Sequence, residues 1–120
     1  MRLRDRHRFL STPENPIVIL DSVSELIGKQ RRFLRGLGNR LKPTVKVGKE
    51  GVSTEVLRSI EEAYANQELI KIKLERSCPL DRKEAGPLLA RKTSSHLVQI
   101  LGQSVLLFRP DEEDPSIQLP

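Results

Sequence analysis

The sequence predicts a single α/β (α+β) domain: a four-stranded mixed sheet with three helices, in the order helix, strand, helix, strand, helix, strand, strand. Two patterns predict it. Stretches with apolar residues at helical spacing alternate with short stretches of period two, and only the last two strands are joined by a tight turn, so the others need helical connections and helical cover. Size agrees, because 120 residues with 37% apolar content supply one core and not two.

Phe33, Leu34, Leu37 and Leu41 recur at helical spacing while Lys29, Arg32 and Arg35 fall elsewhere on the wheel. The first helix is therefore amphipathic, with these four residues on its core side, and ends before Pro43. Gly36 and Gly38 each cost about 1 kcal/mol against Ala in a helix interior, which points to close backbone approach to a neighbour or ligand. Thr44-Val45-Lys46-Val47 alternates and reads as a short strand with both valines turned inward. Ser53 is a good N-cap, Glu55 sits in the favourable first turn, and Val56, Leu57, Ile60, Ala63 and Tyr64 mark the second helix. In the strand Leu69 to Leu74, Ile70, Ile72 and Leu74 face one way and Lys71 and Lys73 the other. Asp81 and Glu84 have capping-box spacing and open a third helix that runs to about Thr93. Gly86-Pro87 interrupts it, and the clash of Pro87 with the carbonyl of Lys83 predicts a kink or a late start at Pro87. Leu97 to Leu101 and Val105 to Phe108 flank Gly102-Gln103, which suits a type II′ hairpin.

Charge divides the chain. Residues 1–23 carry net +1, contain Pro13 and Pro16, and read as a mobile arm in which Ile17 to Leu20 docks on the domain. Residues 24–110 form the domain at net +8, and residues 111–120 an extended acidic tail at net −4. From Lys29 to Lys49 there are eight basic residues and no acid. This polarity favours a polyanionic partner, nucleic acid first.

The same sequence argues against other classes. Apolar runs reach only four residues, Ile17 to Leu20 and Val105 to Phe108, against the roughly 20 needed to span a bilayer. The N-terminus lacks a secretory apolar stretch, and Asp5, Glu14 and Asp21 argue against an organelle transit peptide. Cys78 is the single cysteine, so no internal disulfide forms, no zinc spacing exists, and the expected compartment is reducing and cytoplasmic. His7 and His96 have no nucleophile at suggestive spacing, so no enzyme, cofactor or metal is expected.

Gly48-Lys49-Glu50-Gly51 lies between a strand and a helix N-terminus, where two glycines allow a foreign chain to approach and the loop amides face a phosphate at the positive end of the helix dipole. Lys49 adds a direct charge. The loop resembles the one with which KH-type domains clamp a nucleic-acid backbone. A G-x-x-G match alone is weak; here eight basic residues lead into it. Arg40, Lys42 and Lys46 lie close to the loop in sequence and are read as binding residues, whereas Lys71 and Lys73 have two readings, an RNA surface or ordinary protection of a sheet edge. Phe33 and Tyr64 fall on core-facing stripes, so recognition is expected to rest on phosphates and shape without an aromatic stacking platform.

With these motifs in view, the chain is similar over about residues 26–110 to the CRM domain, the chloroplast RNA splicing and ribosome maturation family, in its free-standing bacterial YhbY-type form. The resemblance rests on Gly-Lys-Gln-Arg-Arg-Phe-Leu-Arg-Gly-Leu (28–37), Leu-Lys-Pro-Thr-Val-Lys-Val-Gly-Lys-Glu-Gly-Val (41–52), Glu-Leu-Ile-Lys-Ile-Lys-Leu (68–74), Leu-Val-Gln-Ile-Leu-Gly (97–102) and the ending Ile117-Gln118-Leu119-Pro120. It implies a fold similar to the C-terminal domain of bacterial translation initiation factor three. It also implies a monomeric RNA-binding factor acting on the large-subunit ribosomal RNA precursor. The family's RNA-contacting loop maps onto Gly48, Lys49, Glu50 and Gly51, and its basic first helix onto Lys29, Arg31, Arg32 and Arg35. Three departures stand out. Ile27 replaces the family's usual Thr or Ser, leaving Ser24 as the substitute cap; Gly86-Pro87 falls in a usually continuous helix; and Glu50 puts an acid in the phosphate loop. Two rival readings remain: a module whose basic face docks an acidic protein, and an organellar intron-splicing cofactor.

Overall fold

The structure, a computed structural model, describes residues 26–120; the arm 1–23, the docking of Ile17 to Leu20 and the cap Ser24 lie outside the described residues. Seven elements follow in the expected order: α1 (Gly28–Gly38), β1 (Val45–Val47), α2 (Thr54–Tyr64), β2 (Leu69–Leu74), α3 (Arg82–Thr93), β3 (His96–Leu101) and β4 (Ser104–Phe108). The strands form one mixed sheet in the order β1-β2-β4-β3, with β1 and β2 parallel and the other two pairs antiparallel.

Because side chains alternate along a strand, this sheet has two faces and needs cover on both. Val45, Val47, Ile70, Ile72, Leu74, Val105 and Leu107 point to one face, where Ile60 of α2 and Ala85, Leu89 and Ala90 of α3 close the larger core. Leu69, Leu106, Phe108 and Val98 point to the other, where Leu34 of α1 covers them and Leu26, Leu41, Ile117 and Leu119 pack at the margin.

The local signals act as read from the sequence at several points. Ser53 Oγ accepts a hydrogen bond from the Val56 amide at 3.2 Å and starts α2. Asp81 accepts from the Lys83 amide, and Glu84 reaches back to the Asp81 amide, which fixes the first turn of α3. Gly102 has φ +59 and lies between the paired residues Leu101 and Ser104, as a two-residue hairpin turn requires.

Three expectations are corrected. Phe33 and Leu37 do not lie on the core side of α1: they are 40% and 37% exposed, while Leu34 is fully buried. One narrow apolar line through Leu34 and Gly38 suffices, since Gly38 lets the helix lie directly on Leu106, where a Cβ would collide. At Gly36 no neighbour lies within 4 Å of such a Cβ, so the close approach expected there is absent. Finally, α3 begins at Arg82 and runs through Pro87 to Thr93 without a late start. The Asp81 capping box holds the turns ahead of Pro87, the proline ring is exposed, and buried Gly86 lets the helix approach β3, where an added Cβ would lie 2.8 Å from Ile100 Cδ1.

Two polar clusters tie down the end of β4 and the C-terminal segment. Arg109 donates to the Glu61 carboxylate at 2.7 and 2.9 Å and to the Thr93 carbonyl at 2.8 Å, and lies 4.2 Å over the Tyr64 ring, joining the end of β4 to α2 and α3. Glu68, 5% exposed, accepts hydrogen bonds from the amides of Asp111, Ser116 and Ile117 and from Ser116 Oγ at 2.6–3.0 Å. This anchors the C-terminal segment against the base of β2, and Gln30 extends the contact to the Pro120 carbonyl.

His96 stacks on Phe108 with ring centroids 6.0 Å apart. Burial, and secondarily the charge of Arg31, lower its pKa below the ordinary value. The unfolded chain therefore binds this proton more readily, and the associated stability, present above about pH 6.5, is lost as pH falls toward the folded-state value. The thermal midpoint is expected to drop between about pH 7.5 and 5.5, and His96→Gln to flatten that drop; an unchanged slope in the variant would assign it to other groups.

Candidate nucleic-acid interface

Strand β1 ends at Val47, and the chain turns at once into Gly48-Lys49-Glu50-Gly51. The Gly51 amide donates to the Gly48 carbonyl at 3.0 Å, closing a four-residue turn with Lys49 and Glu50 at its exposed tip. Gly51 has φ +66, a conformation that favours glycine, and is buried with Pro79 3.4 Å from where a Cβ would stand. The Ser53 amide then donates to the Gly51 carbonyl, and α2 begins at Thr54. Behind the loop, Glu75 donates its amide to the Val47 carbonyl, and its carboxylate lies beside Gly48. The turn is thus braced from below by the β2–α3 connection and open above. Among the described residues the amides of Lys49 and Glu50 form no hydrogen bond. An exposed tip with two unbonded amides, one lysine and an adjoining helix N-terminus can hold an anion.

The expected cations divide into two groups. Lys42, Lys46 and Lys49 are exposed along or beside β1, and Arg40 is exposed just beyond the end of α1. On α1 itself Lys29 and Arg32 are exposed and Arg35 half-buried. Arg31 is committed elsewhere: its guanidinium donates to the carbonyls of Leu97 and Val98, where β3 has an irregular register. That edge strand is three strand spacings, or about 14 Å, from β1, so Arg31 serves the sheet and the α1 cations form a patch separate from the loop. Both lie on accessible surface. Glu50 is exposed, so the acid at the tip is solvated.

Against this geometry, comparison with known proteins is decisive: residues 26–109 match the model of the CRS1 / YhbY (CRM) domain. The chain belongs to the CRM family. It is 37% identical over 95 residues to the Bacillus subtilis protein named "Probable RNA-binding protein YqeI", covering 79% of this chain and 99% of that one. It is also 37% identical over 98 residues to a Haemophilus influenzae protein named "RNA-binding protein", covering 82% and 98%. The solution structure of a hypothetical protein from Staphylococcus aureus superposes with a TM-score of 0.68 at 35% identity, covering 79% of this chain and 99% of that one.

Within this CRM domain the Ile27 departure has a local solution. Ile27 occupies the N-cap without a side-chain acceptor, but Gln30 Oε1 accepts the Ile27 amide at 3.2 Å, so the helix start keeps half of a capping box. Sequence reasoning missed that Phe33 and Leu37 join the exposed surface of α1. Leu34 and Gly38 alone carry the buried side of α1, and of its two late glycines only Gly38, one turn after Leu34, marks the close approach to the sheet. The edge-protection reading of Lys71 and Lys73 is also overturned, because β2 is an interior strand with neighbours on both sides.

Proposed function

We propose that this CRM domain is a non-enzymatic RNA-binding protein of ribosome assembly that attaches, as a cytoplasmic monomer, to the large-subunit ribosomal RNA precursor. The observation that carries the reading is the closed turn Gly48-Lys49-Glu50-Gly51, exposed at its tip and braced by Pro79 and Glu75 beneath. The names of the bacterial relatives support RNA as the partner class. In this reading the phosphate chain crosses the tip, where the Lys49 side chain and the amides of Lys49 and Glu50 receive it, and Lys46, Lys42 and Arg40 continue the contact. Lys29, Arg32 and Arg35 on α1 hold a more distant part of the RNA, with Arg31 fixing the helix to β3. Only phosphate and shape are read at these positions, so the contacts position the RNA more than they specify its sequence.

The mechanism predicts a salt response. About five phosphate contacts on single-stranded RNA give a slope of log affinity against log salt near −3.5. Lys49→Glu is expected to weaken binding at least tenfold, the size of one lost and one reversed charge contact, whereas Lys92→Glu, exposed on α3, has a small effect. A flat salt response, or equal losses in the two variants, would leave the loop without a special role.

A further inference from the structure

The register of the sheet places lysines where strand pairing alone disfavours them. Lys46 of β1 and Lys73 of β2 are direct cross-strand partners, both exposed. Lys73 in turn pairs with Ser104 of β4, and Ser104 with Leu101 of β3, so one row at the loop end of the sheet reads Lys46, Lys73, Ser104, Leu101. The next row on the same face is Lys71, Leu106 and Gln99. All of these point to the side on which α1 lies, since Leu106 packs beneath it. Helix α1 crosses β2, β3 and β4, and the row nearest the loop stays open.

Like charges directly opposite each other destabilise a sheet. Neither Lys46, Lys71 nor Lys73 forms an ion pair among the described residues. Their usual excuse, protection of an edge, applies at most to Lys46, because β2 is interior. A shallow cavity of about 60 Å³ lies at the inner end of this row, lined by Lys71, Asn39, Gln99 and Ser104 together with Leu101 and Leu106. Two amides, a hydroxyl and an ammonium thus converge beside an apolar floor.

We infer that the sheet face formed by Lys46, Lys73 and Lys71, ending at the Asn39, Gln99 and Ser104 cavity, is a second contact region for single-stranded RNA, continuous with the Gly48–Gly51 loop. The inference rests on the RNA-binding reading above and extends it. Lys46 lies two residues before Gly48, so a strand leaving the loop tip passes directly onto the lysine row. Successive lysines on β2 are about 6.6 Å apart along the strand, so each meets a different part of the backbone. The lysines neutralise phosphates, and the amides and hydroxyl at the inner end offer donors and acceptors to a 2′-hydroxyl or a base edge. A bound phosphate between Lys46 and Lys73 relieves the repulsion of these cross-strand partners.

The test uses the full chain and fluorescently labelled single-stranded RNAs of about 4 and about 16 nucleotides, the span of site sizes for one small binding fold. The double substitution Lys71→Thr/Lys73→Thr keeps strand-forming side chains. It is expected to weaken the long RNA about tenfold, as for two surface ion pairs, and to make its salt slope shallower by about 1.4. Binding of the short RNA is expected to stay within twofold, and the thermal midpoint to stay level or rise as the cross-strand repulsion is removed. Unchanged binding of both RNAs, with Lys49→Glu still weakening them, overturns the lysine row and leaves the loop intact. Failure of the unsubstituted protein to bind either RNA overturns the RNA reading and this inference together. Loss of binding to phosphatidylserine vesicles with RNA affinity unchanged assigns the row to a membrane surface and also overturns it.

Discussion

Leu34→Ala is expected to lower the free energy of unfolding by about 3 kcal/mol, within the range for leucine truncation in a packed core. Leu34 is fully buried and is the only large side chain of α1 in the core under the sheet. The other anchors include Gly38 on Leu106, the Arg31 guanidinium on β3 and the Gln30 side chain on the Pro120 carbonyl. An eleven-residue helix is shorter than the roughly 12–15 residues at which isolated helices become even marginal in water, so α1 persists because it is docked. Truncating Leu34 should therefore raise amide exchange through α1 more than in α2 or α3, and disperse the cations Lys29, Arg32 and Arg35. Phe33→Ala is the matched comparison: its ring is 40% exposed, and about 1 kcal/mol is expected. Denaturant unfolding with hydrogen exchange distinguishes the two. A larger loss at Phe33 would return that ring to the core side.

The contrast between Leu34 and Phe33 marks the boundary of what the sequence discloses. Periodicity places the elements, because the repeat of two or 3.6 is a local property and survives without knowledge of the partner surface. The caps at Ser53 and Asp81, the strand faces of Ile70, Ile72 and Leu74, and the Gly102 turn are local in the same sense. The width of a buried stripe is different. Four apolar residues on α1 are compatible with a broad core face, and only the approach of Gly38 to Leu106 narrows it to one line. The late start expected at Pro87 fails for a similar reason: the cost of the proline is local, while the packing of Gly86 on Ile100 and the capping box that offset it come from elsewhere.

The candidate site divides the same way. The G-x-x-G turn was legible because glycine spacing and flanking elements are sequence facts, and the turn forms with its lysine exposed. The lysine row was not legible. Lys46 and Lys73 are 27 positions apart, and their opposition follows from a parallel register that no local pattern encodes. Strand order likewise decides that β2 is interior. The two sides of the sheet carry different duties as a result. The side under α2 and α3 is uniformly apolar and holds the fold, while the α1 side is buried and apolar under the helix and carries Lys46 and Lys73 beside Ser104 and exposed Leu101 in its open row.

Glu68→Ala is expected to destabilise the protein by about 3 kcal/mol, since three backbone amides and one hydroxyl lose an acceptor and each such loss costs on the order of 1 kcal/mol. Glu68→Gln should fall between, because Oε1 serves Ser116 and Ile117 while the new amide nitrogen would face the Asp111 donor. Truncation after Pro110 removes the donors instead, exposes Glu68 to water, and uncovers the positions packed by Ile117 and Leu119. The acidic segment is on this account a structural strap as well as a charge. A double-mutant cycle decides it: in the truncated chain Glu68→Ala should cost under about 1 kcal/mol, leaving a coupling of about 2 kcal/mol between residue and tail. Equal costs in the full and truncated chains would mean that Glu68 stabilises the base of β2 by itself, and that the tail merely rests upon it.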